Sequence, residues 1–259
     1  EYILKRLIWT PFLLLIASFF VFFMGSIAPG DPAELILKNR ATPEKVEALR
    51  DDMGLDKPFI IQYLIYIKNA LGGDFGESYV FQGKKVTELL IPKLLVSIKL
   101  NIAVTIVSIS LGVPLGFYAA KNYGSWKDPT IVLTMLFLFA MPVFFTAPFL
   151  ITIFAVNLGW IKASGWNGFF DTQIILPALT IGIPSATIYV RHMRASTLDI
   201  IGQDYIRTAY SKGLKEYTIN TRHIIKNSIL PILTLLGFTI AGIFGGSLIV
   251  EIIYGIPGV

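Results

Sequence analysis

Two histidines, His192 and His223, are the only imidazoles among 259 residues, and the chain has no cysteine. The histidines lack a nearby set of metal-ligating side chains, so both are expected to be surface or docking groups. Without a thiol, disulfide frameworks, thiolate zinc sites, iron–sulfur ligation and cysteine nucleophiles are excluded. No G-x-x-x-x-G-K-[ST] occurs, so the chain is not expected to bind or hydrolyse ATP itself. Carboxylate pairs for acid–base work are absent from the apolar stretches, and no catalytic residue or metal ligand is assigned. Two polar sets remain. Asn101, Thr105 and Ser108 share a helical face, and with Thr239 and Ser247 they are candidates to line a mild polar path through a bilayer. Ser and Thr in apolar helices more often bond their own backbone, which is the competing fate. The second set is the basic stretch from Arg191 to Asn227.

The elements that would carry these residues are read from composition. The chain is 54% hydrophobic, 13% aromatic and only 15% charged, where a soluble domain carries about a quarter charged residues. Mean hydropathy is +0.67. Disorder is excluded, and a single domain built in lipid is expected. Five stretches lack Asp, Glu, Lys and Arg: Leu7–Ala28, Leu100–Tyr118, Thr130–Val156, Ile174–Val190 and Ile229–Val250. Each can cross a hydrocarbon core of roughly 30 Å as a helix, the state that pairs its own backbone groups in lipid. One ionised side chain at the centre of such a span costs about 2.5–3.5 kcal/mol, so five windows free of charge are not accidental.

Charges between the spans set the orientation. Lys5, Arg6, Lys121, Lys127, Arg191, Arg194, Arg207, Lys212, Lys215, Arg222 and Lys226 fall on one side, whereas the short third-to-fourth connection carries only Lys162. The positive-inside rule then puts the amino terminus in the cytoplasm and Pro29–Ser97 outside. The net charge of +5 is thereby assigned to membrane topology, and no nucleic-acid partner is expected. Trp9, Trp126, Trp160 and Trp166 fall at span ends, as an interfacial belt requires. The first span is read as a retained anchor, because Ala28-Pro29-Gly30-Asp31 is a poor cleavage context. Glu1 is not an initiator methionine and Val259 follows the fifth span closely, so both ends are expected to be trimmed.

In the outer segment, Thr42-Pro43-Glu44 reads as a helix start and Gly54 as its end. A second helix over Pro58–Leu71 places Phe59, Ile60, Tyr63, Leu64, Ile67 and Leu71 on an apolar face, and Gly72-Gly73-Asp74-Phe75-Gly76 breaks it. Together they are expected to form a small helical cap over the outer mouth, with an amphipathic hairpin on the membrane surface as the alternative. In the inner loop, Asp204 to Leu214 predicts a short amphipathic helix with Ile206, Ala209, Tyr210 and Leu214 on one face. It either lies on headgroups or docks a cytoplasmic partner.

These residues resemble the permease subunits of peptide/nickel-type ABC importers, the oligopeptide and dipeptide group. Arg207-Thr208-Ala209 stands where importers in general carry Glu-Ala-Ala, while Ala209, Gly213 and Leu230-Pro231 match that signature. Tyr205-Ile206-Arg207-Thr208-Ala209 followed by Lys212-Gly213-Leu214 is similar to the peptide subgroup's own form. Ala28-Pro29-Gly30-Asp31-Pro32, Gly73-Asp74-Phe75-Gly76, Arg222-His223 and Glu251-x-x-Tyr254-Gly255-x-Pro257-Gly258 follow in family order. The resemblance implies an all-α, polytopic membrane bundle of the type I importer permease kind, with five spans visible and a sixth missing at the trimmed end. Its parts would be an amino-terminal helix over 1–28, an extracytoplasmic helical region over 29–97, and a permease core over 98–259 with a coupling loop over 191–227.

It further implies a multi-pass subunit of the prokaryotic inner membrane that forms half of a path for oligopeptides or dipeptides. Its partners would be a second homologous permease, two ABC ATPases holding ATP and magnesium, and an external binding protein. Coupling to the ATPases would fall to Asp204, Tyr205, Arg207, Thr208, Ala209, Lys212, Gly213 and Leu214. Pro114, Pro142, Pro148, Pro177 and Pro184 are expected to interrupt three of the spans and Pro231 to open the fifth, and Gly112-x-x-x-Gly116 and Gly242-x-x-x-Gly246 to mark close helix contacts. A nickel-chelate or other small-solute importer is the nearest alternative. A secondary transporter is the rival from another class, and it would usually bury ionisable residues at mid-membrane.

Overall fold

The computed structural model describes residues 2–37, 41–81 and 83–259, so Glu1 lies outside the described residues. Among these residues every regular element is helical, and the only β pairing is an isolated bridge between Glu77 and Lys85. The chain divides into two compact units, Glu1–Leu90 and Ile91–Val259.

The first unit contains α1 (Tyr2–Ile27), α2 (Pro32–Leu37), α3 (Pro43–Asp52) and α4 (Phe59–Leu71). Pro43 opens α3, where its missing N–H costs nothing, and Gly54 turns the chain out of it at φ +67°. Asp31 accepts the Ala33 N–H at 2.9 Å and the Arg50 guanidinium at 2.9 Å, tying the start of α2 to α3.

The second unit takes in most of α5 (Val86–Lys121), then α6 (Lys127–Ala140) and α7 (Val143–Leu150), which runs on as a π-helical turn, Ile151–Asn157. A 3-10 turn, Thr172–Ile174, leads into α8 (Ile175–Ile201). After α9 (Asp204–Ser211), α10 (Glu216–Thr218) and α11 (Lys226–Ser228) flank a second π-helical turn, Ile219–Ile225. Helices α12 (Leu230–Gly242) and α13 (Leu248–Tyr254) complete the unit. The buried core centres on α8. Leu176 and Ala178 join Leu100, Val104, Ala147, Val250 and Tyr254, while Ala186 and Val190 meet Met135. Helix α5 approaches α8 closely: a Cβ on Gly112 would lie 2.5 Å from the Tyr189 Cβ, and one on Gly116 2.6 Å from the Val190 carbonyl oxygen. Only glycine lets the two backbones come this near.

Among the described residues, three helices are long and apolar enough to cross a membrane: Lys5–Ile27, Val86–Lys121 and Thr172–Ile201. Two bent pairs bring the number to five if each is one span. Lys127–Ala140 and Val143–Asn157 meet at 99°, and Glu216–Ser228 and Leu230–Gly242 at 45°. The expected continuous span over Thr130–Val156 is therefore broken at Met141-Pro142, where Pro142 has no N–H to continue the ladder. The expected fifth span is displaced as well. Its helix ends at Gly242, and irregular backbone leads to Ser247 before α13 begins. Of the five prolines expected to interrupt spans, Pro142 coincides with a bend, and Pro231 opens α12 beside the 45° bend, as expected. Pro114, Pro148 and Pro184 sit inside unbroken helices, and Pro177 lies in the first turn of α8. The Gly112 and Gly116 contact is as expected. In the second pair, a Cβ on Gly246 would lie 2.8 Å from the Val259 carbonyl oxygen, whereas one on Gly242 would meet no neighbouring element within 4 Å.

Candidate functional site

Helix α8 ends at Gly202, and the chain turns directly into α9. Ile206 and Ala209 are buried against Ile219 and Ile224, with Phe117, Ile200 and Ile201 completing the cluster. The underside of α9 is thus anchored in the protein, while Asp204, Tyr205, Arg207, Thr208 and Lys212 are exposed. The expected four-residue apolar face is shorter than its spacing suggests. Tyr210 and Leu214 remain 47% and 40% exposed, since Leu214 lies beyond the helix end and Tyr210 turns away from Ile219 and Ile224. The end is sharp: the Leu214 N–H donates to the Ala209 carbonyl at 3.3 Å and the Gly213 N–H to the Tyr210 carbonyl at 2.9 Å. That pair of bonds is a Schellman closure, and Gly213 holds the left-handed backbone it needs, at φ +70°. No atom lies within 4 Å of a Cβ there, so backbone conformation, not space, requires the glycine.

The remaining loop charges are mostly exposed. Arg207 sits 3.6 Å from Asp204 on the surface of α9, and Lys121 donates to Glu216 at 3.0 Å. Asn227 Nδ2 donates to the His223 carbonyl at 2.7 Å. Among the described residues no group of His, Asp and Glu is arranged to hold a metal ion.

The polar candidates in the apolar helices serve the backbone. Asn101 Nδ2 donates to the carbonyls of Ile243 (3.1 Å) and Gly245 (2.9 Å), satisfying the irregular segment after α12. Thr105 bonds the Asn101 carbonyl at 2.7 Å, and buried Ser108 reaches the carbonyls of Val104 and Gly182. Thr239 bonds Leu235 in its own helix and the Tyr189 hydroxyl at 2.8 Å. Ser247 precedes α13, its carbonyl accepting the Glu251 N–H.

Two buried carboxylates, Asp128 and Glu251, lie just beyond the ends of the apolar windows; the sequence singles out Glu251 only as part of a motif and Asp128 not at all. Asp128, in the first turn of α6, receives Arg194 Nε and Nη2, each at 2.6 Å, in a two-bond clamp between α6 and α8. The Tyr123 ring covers the same guanidinium at 5.6 Å. Glu251, only 3% exposed, accepts the Ser97 hydroxyl at 2.7 Å, and Ser97 Oγ accepts the Val259 N–H at 3.0 Å. Tyr254 of the same motif meets the Thr180 hydroxyl at 2.7 Å and is buried. The spacing of Glu251, Tyr254 and Gly258 was legible in the sequence, but its partners Ser97 and Thr180 carry no local signal. Trp166 packs against the core, whereas Trp9, Trp126 and Trp160 are exposed.

Comparison with known proteins gives matches along the whole chain. The family described as "Binding-protein-dependent transport system inner membrane component" matches residues 112–259. Its amino-terminal companion, "Binding-prot-dependent transport system membrane comp, N-term", matches residues 1–100. The oligopeptide transport system permease protein OppB of Haemophilus influenzae is 36% identical over 259 residues, covering 100% of this chain and 84% of that one. The probable peptide ABC transporter permease protein y4tP of Sinorhizobium fredii is 32% identical over 264 residues, covering 100% and 84%. The glutathione transport system permease protein GsiC of Shigella flexneri is 33% identical over 258 residues, covering 100% and 83%.

Proposed function

The chain belongs to the binding-protein-dependent transport system inner membrane component family, and from that premise we propose that it forms half of the translocation path of an ABC importer for oligopeptides or dipeptides. The names of its relatives, an oligopeptide, a peptide and a glutathione permease, support a peptide cargo. The other half of the path comes from a second homologous permease, and an external binding protein delivers the substrate. Two partner ATPases bind ATP and magnesium, and ATP hydrolysis there supplies the drive. This chain hydrolyses nothing itself, in keeping with the lack of a phosphate-binding glycine loop.

The observation that carries the reading is the construction of α9. It is held from below by Ile206 and Ala209, closed abruptly by Gly213, and presents Tyr205, Arg207, Thr208 and Lys212 outward. A short helix so anchored can take a push on its outer face and pass it to α8, α11 and α12 as a rigid lever. Exposed Arg207, Lys212, Lys215 and Arg222 add charge complementarity for an acidic groove. Orientation follows from the same charges. The basic residues around α9, with Lys5 and Arg6, place this loop and the amino terminus in the cytoplasm.

The test is uptake by the reconstituted complex. Labelled peptide should enter proteoliposomes only when binding protein, both ATPases and ATP are present. ATP-independent uptake driven by an ion gradient would favour a secondary carrier. Because the chain has no thiol, Lys212→Cys supplies a single label site on it. An impermeant reagent should reach that site only from the ATPase side, and labelling from the opposite side would overturn the coupling role.

A further inference from the structure

Helix α4 has thirteen residues, too few to cross the bilayer, which takes about 20. It is nevertheless apolar nearly all round. At about 100° per residue, Phe59, Tyr63 and Tyr66 share the face turned to α1, and Ile60, Leu64, Ile67 and Leu71 form a second face. Only Gln62 and Asn69 make a polar stripe, directly opposite that second face, and Lys68 is the single charge. Ile60, Leu64 and Leu71 are 55%, 59% and 85% exposed within the chain. In water this helix would display an unbroken apolar surface.

Contacts with α1 fix its depth. The Phe59 ring meets those of Phe19, Phe22 and Phe23 at 5.6, 5.5 and 5.7 Å, and Tyr66 meets Phe22 at 5.3 Å. The Tyr63 hydroxyl lies 2.8 Å from the Leu15 carbonyl oxygen and 2.8 Å from Ser18 Oγ. Helix α1 ends at Ile27, so at 1.5 Å per residue Ser18 lies about 13 Å in from that end. Helix α4 therefore grips α1 within its span, not at its exit. A phenol taken to that depth needs a partner, and Tyr63 has two. On the polar stripe, Gln62 Nε2 donates to the carbonyls of Leu55 and Lys57, each at 2.8 Å, satisfying the turn that enters α4.

We propose that α4 is an immersed, non-spanning helix lying in the leaflet that holds the carboxyl-terminal half of α1, with Ile60, Leu64 and Leu71 against acyl chains and the Gln62–Asn69 stripe toward the headgroups. The occupant of this face is lipid because the face continues an apolar surface of α1 that its own compact unit leaves open, including Phe20, Val21, Met24 and Ile27. Lys68 reaches the headgroups along its own methylenes. Helix α4 is thus no part of the water-facing cap that the sequence suggests, and it lies deeper than a hairpin resting on the membrane surface. The inference rests on α1 crossing the bilayer. It is independent of cargo and ATPases, so failure of the uptake assay leaves it standing, and its own failure leaves the permease assignment standing.

The test uses the assembled complex in lipid nanodiscs. Leu64→Cys carries a nitroxide, Glu47→Cys on α3 gives the water-facing control, and the wild-type chain, which has no thiol, sets the background from other subunits. Dissolved oxygen should relax the label at 64 while a water-soluble nickel chelate loses its effect there, and the order should reverse at 47. Leu71→Cys repeats the measurement if the first variant fails to assemble. Chelate access at 64 and 71 would put α4 in water, and protection from both relaxants would mean that another protein covers it; either result overturns the proposal.

Discussion

Removing Arg194 leaves Asp128 as an unpaired carboxylate, 4% exposed, at the end of an apolar helix. A fully enclosed pair broken in this way loses about 3–5 kcal/mol. Arg194 keeps 27% of its side chain exposed, so water screens the pair in part and Arg194→Met is expected to cost about 2–3 kcal/mol. Thermal unfolding of the detergent-solubilised complex measures it, and Arg194→Lys should recover only part because a lysine cannot make the two parallel bonds. A second residue-scale contrast concerns the glycines near the carboxyl end. A Cβ on Gly258 would run into the Glu251 carboxylate and the Ser97 hydroxyl, both buried, whereas one on Gly242 meets nothing within 4 Å. Gly258→Ala should therefore lower the melting temperature clearly, by about 1–3 kcal/mol of overpacking, and Gly242→Ala should leave it unchanged or slightly raised. Both carboxylates were visible as residues in the sequence, yet nothing local marks 128 with 194 or 97 with 251, since each pair is brought together only by helix packing.

Helix boundaries were legible where chemistry is local. Thr42-Pro43, Gly54 and Gly213 act through the backbone of their own turns, and the structure begins and ends helices there. The break at Met141-Pro142 was not legible from proline alone, because Pro114 and Pro184 have the same local chemistry and lie in unbroken helices. The start of α8 offers a test of local capping. Asp171, outside the apolar helices, accepts the Gln173 N–H at 3.0 Å, and that bond holds its carboxyl below the usual carboxylate range. Since folding lowers this pKa, the cap is fully effective above the ordinary aspartate range and is lost as pH falls through the lowered value. Asp171→Asn should remove that part of the acid-side loss of stability, read as a smaller drop in melting temperature between neutral and acid pH.

In the whole assembly, Gly213 sits where α9 would meet an ATPase. A tryptophan there meets no clash from its Cβ, and the left-handed backbone costs roughly 1–2 kcal/mol, so Gly213→Trp should insert and assemble. It would spoil the Schellman closure and obstruct the outer end of α9. The reconstituted complex should then hydrolyse ATP while peptide uptake falls, raising the ATP spent per peptide moved; normal uptake with a normal ratio would argue strongly against α9 as the coupling element.

The amino-acid order by itself determined an all-helical membrane protein, the rough position of its apolar stretches and the α9–Gly213 unit. Hydrocarbon admits no unpaired backbone or stray charge, and a tight turn declares itself through its own residues. The tertiary structure decided that two of the stretches bend, that α8 is the centre of the core, that α4 lies against α1, and that Asp128 and Glu251 are enclosed. Those outcomes depend on partners far away in sequence, and apolar helices in lipid choose their neighbours by shape and by a few polar pairs that no periodicity records.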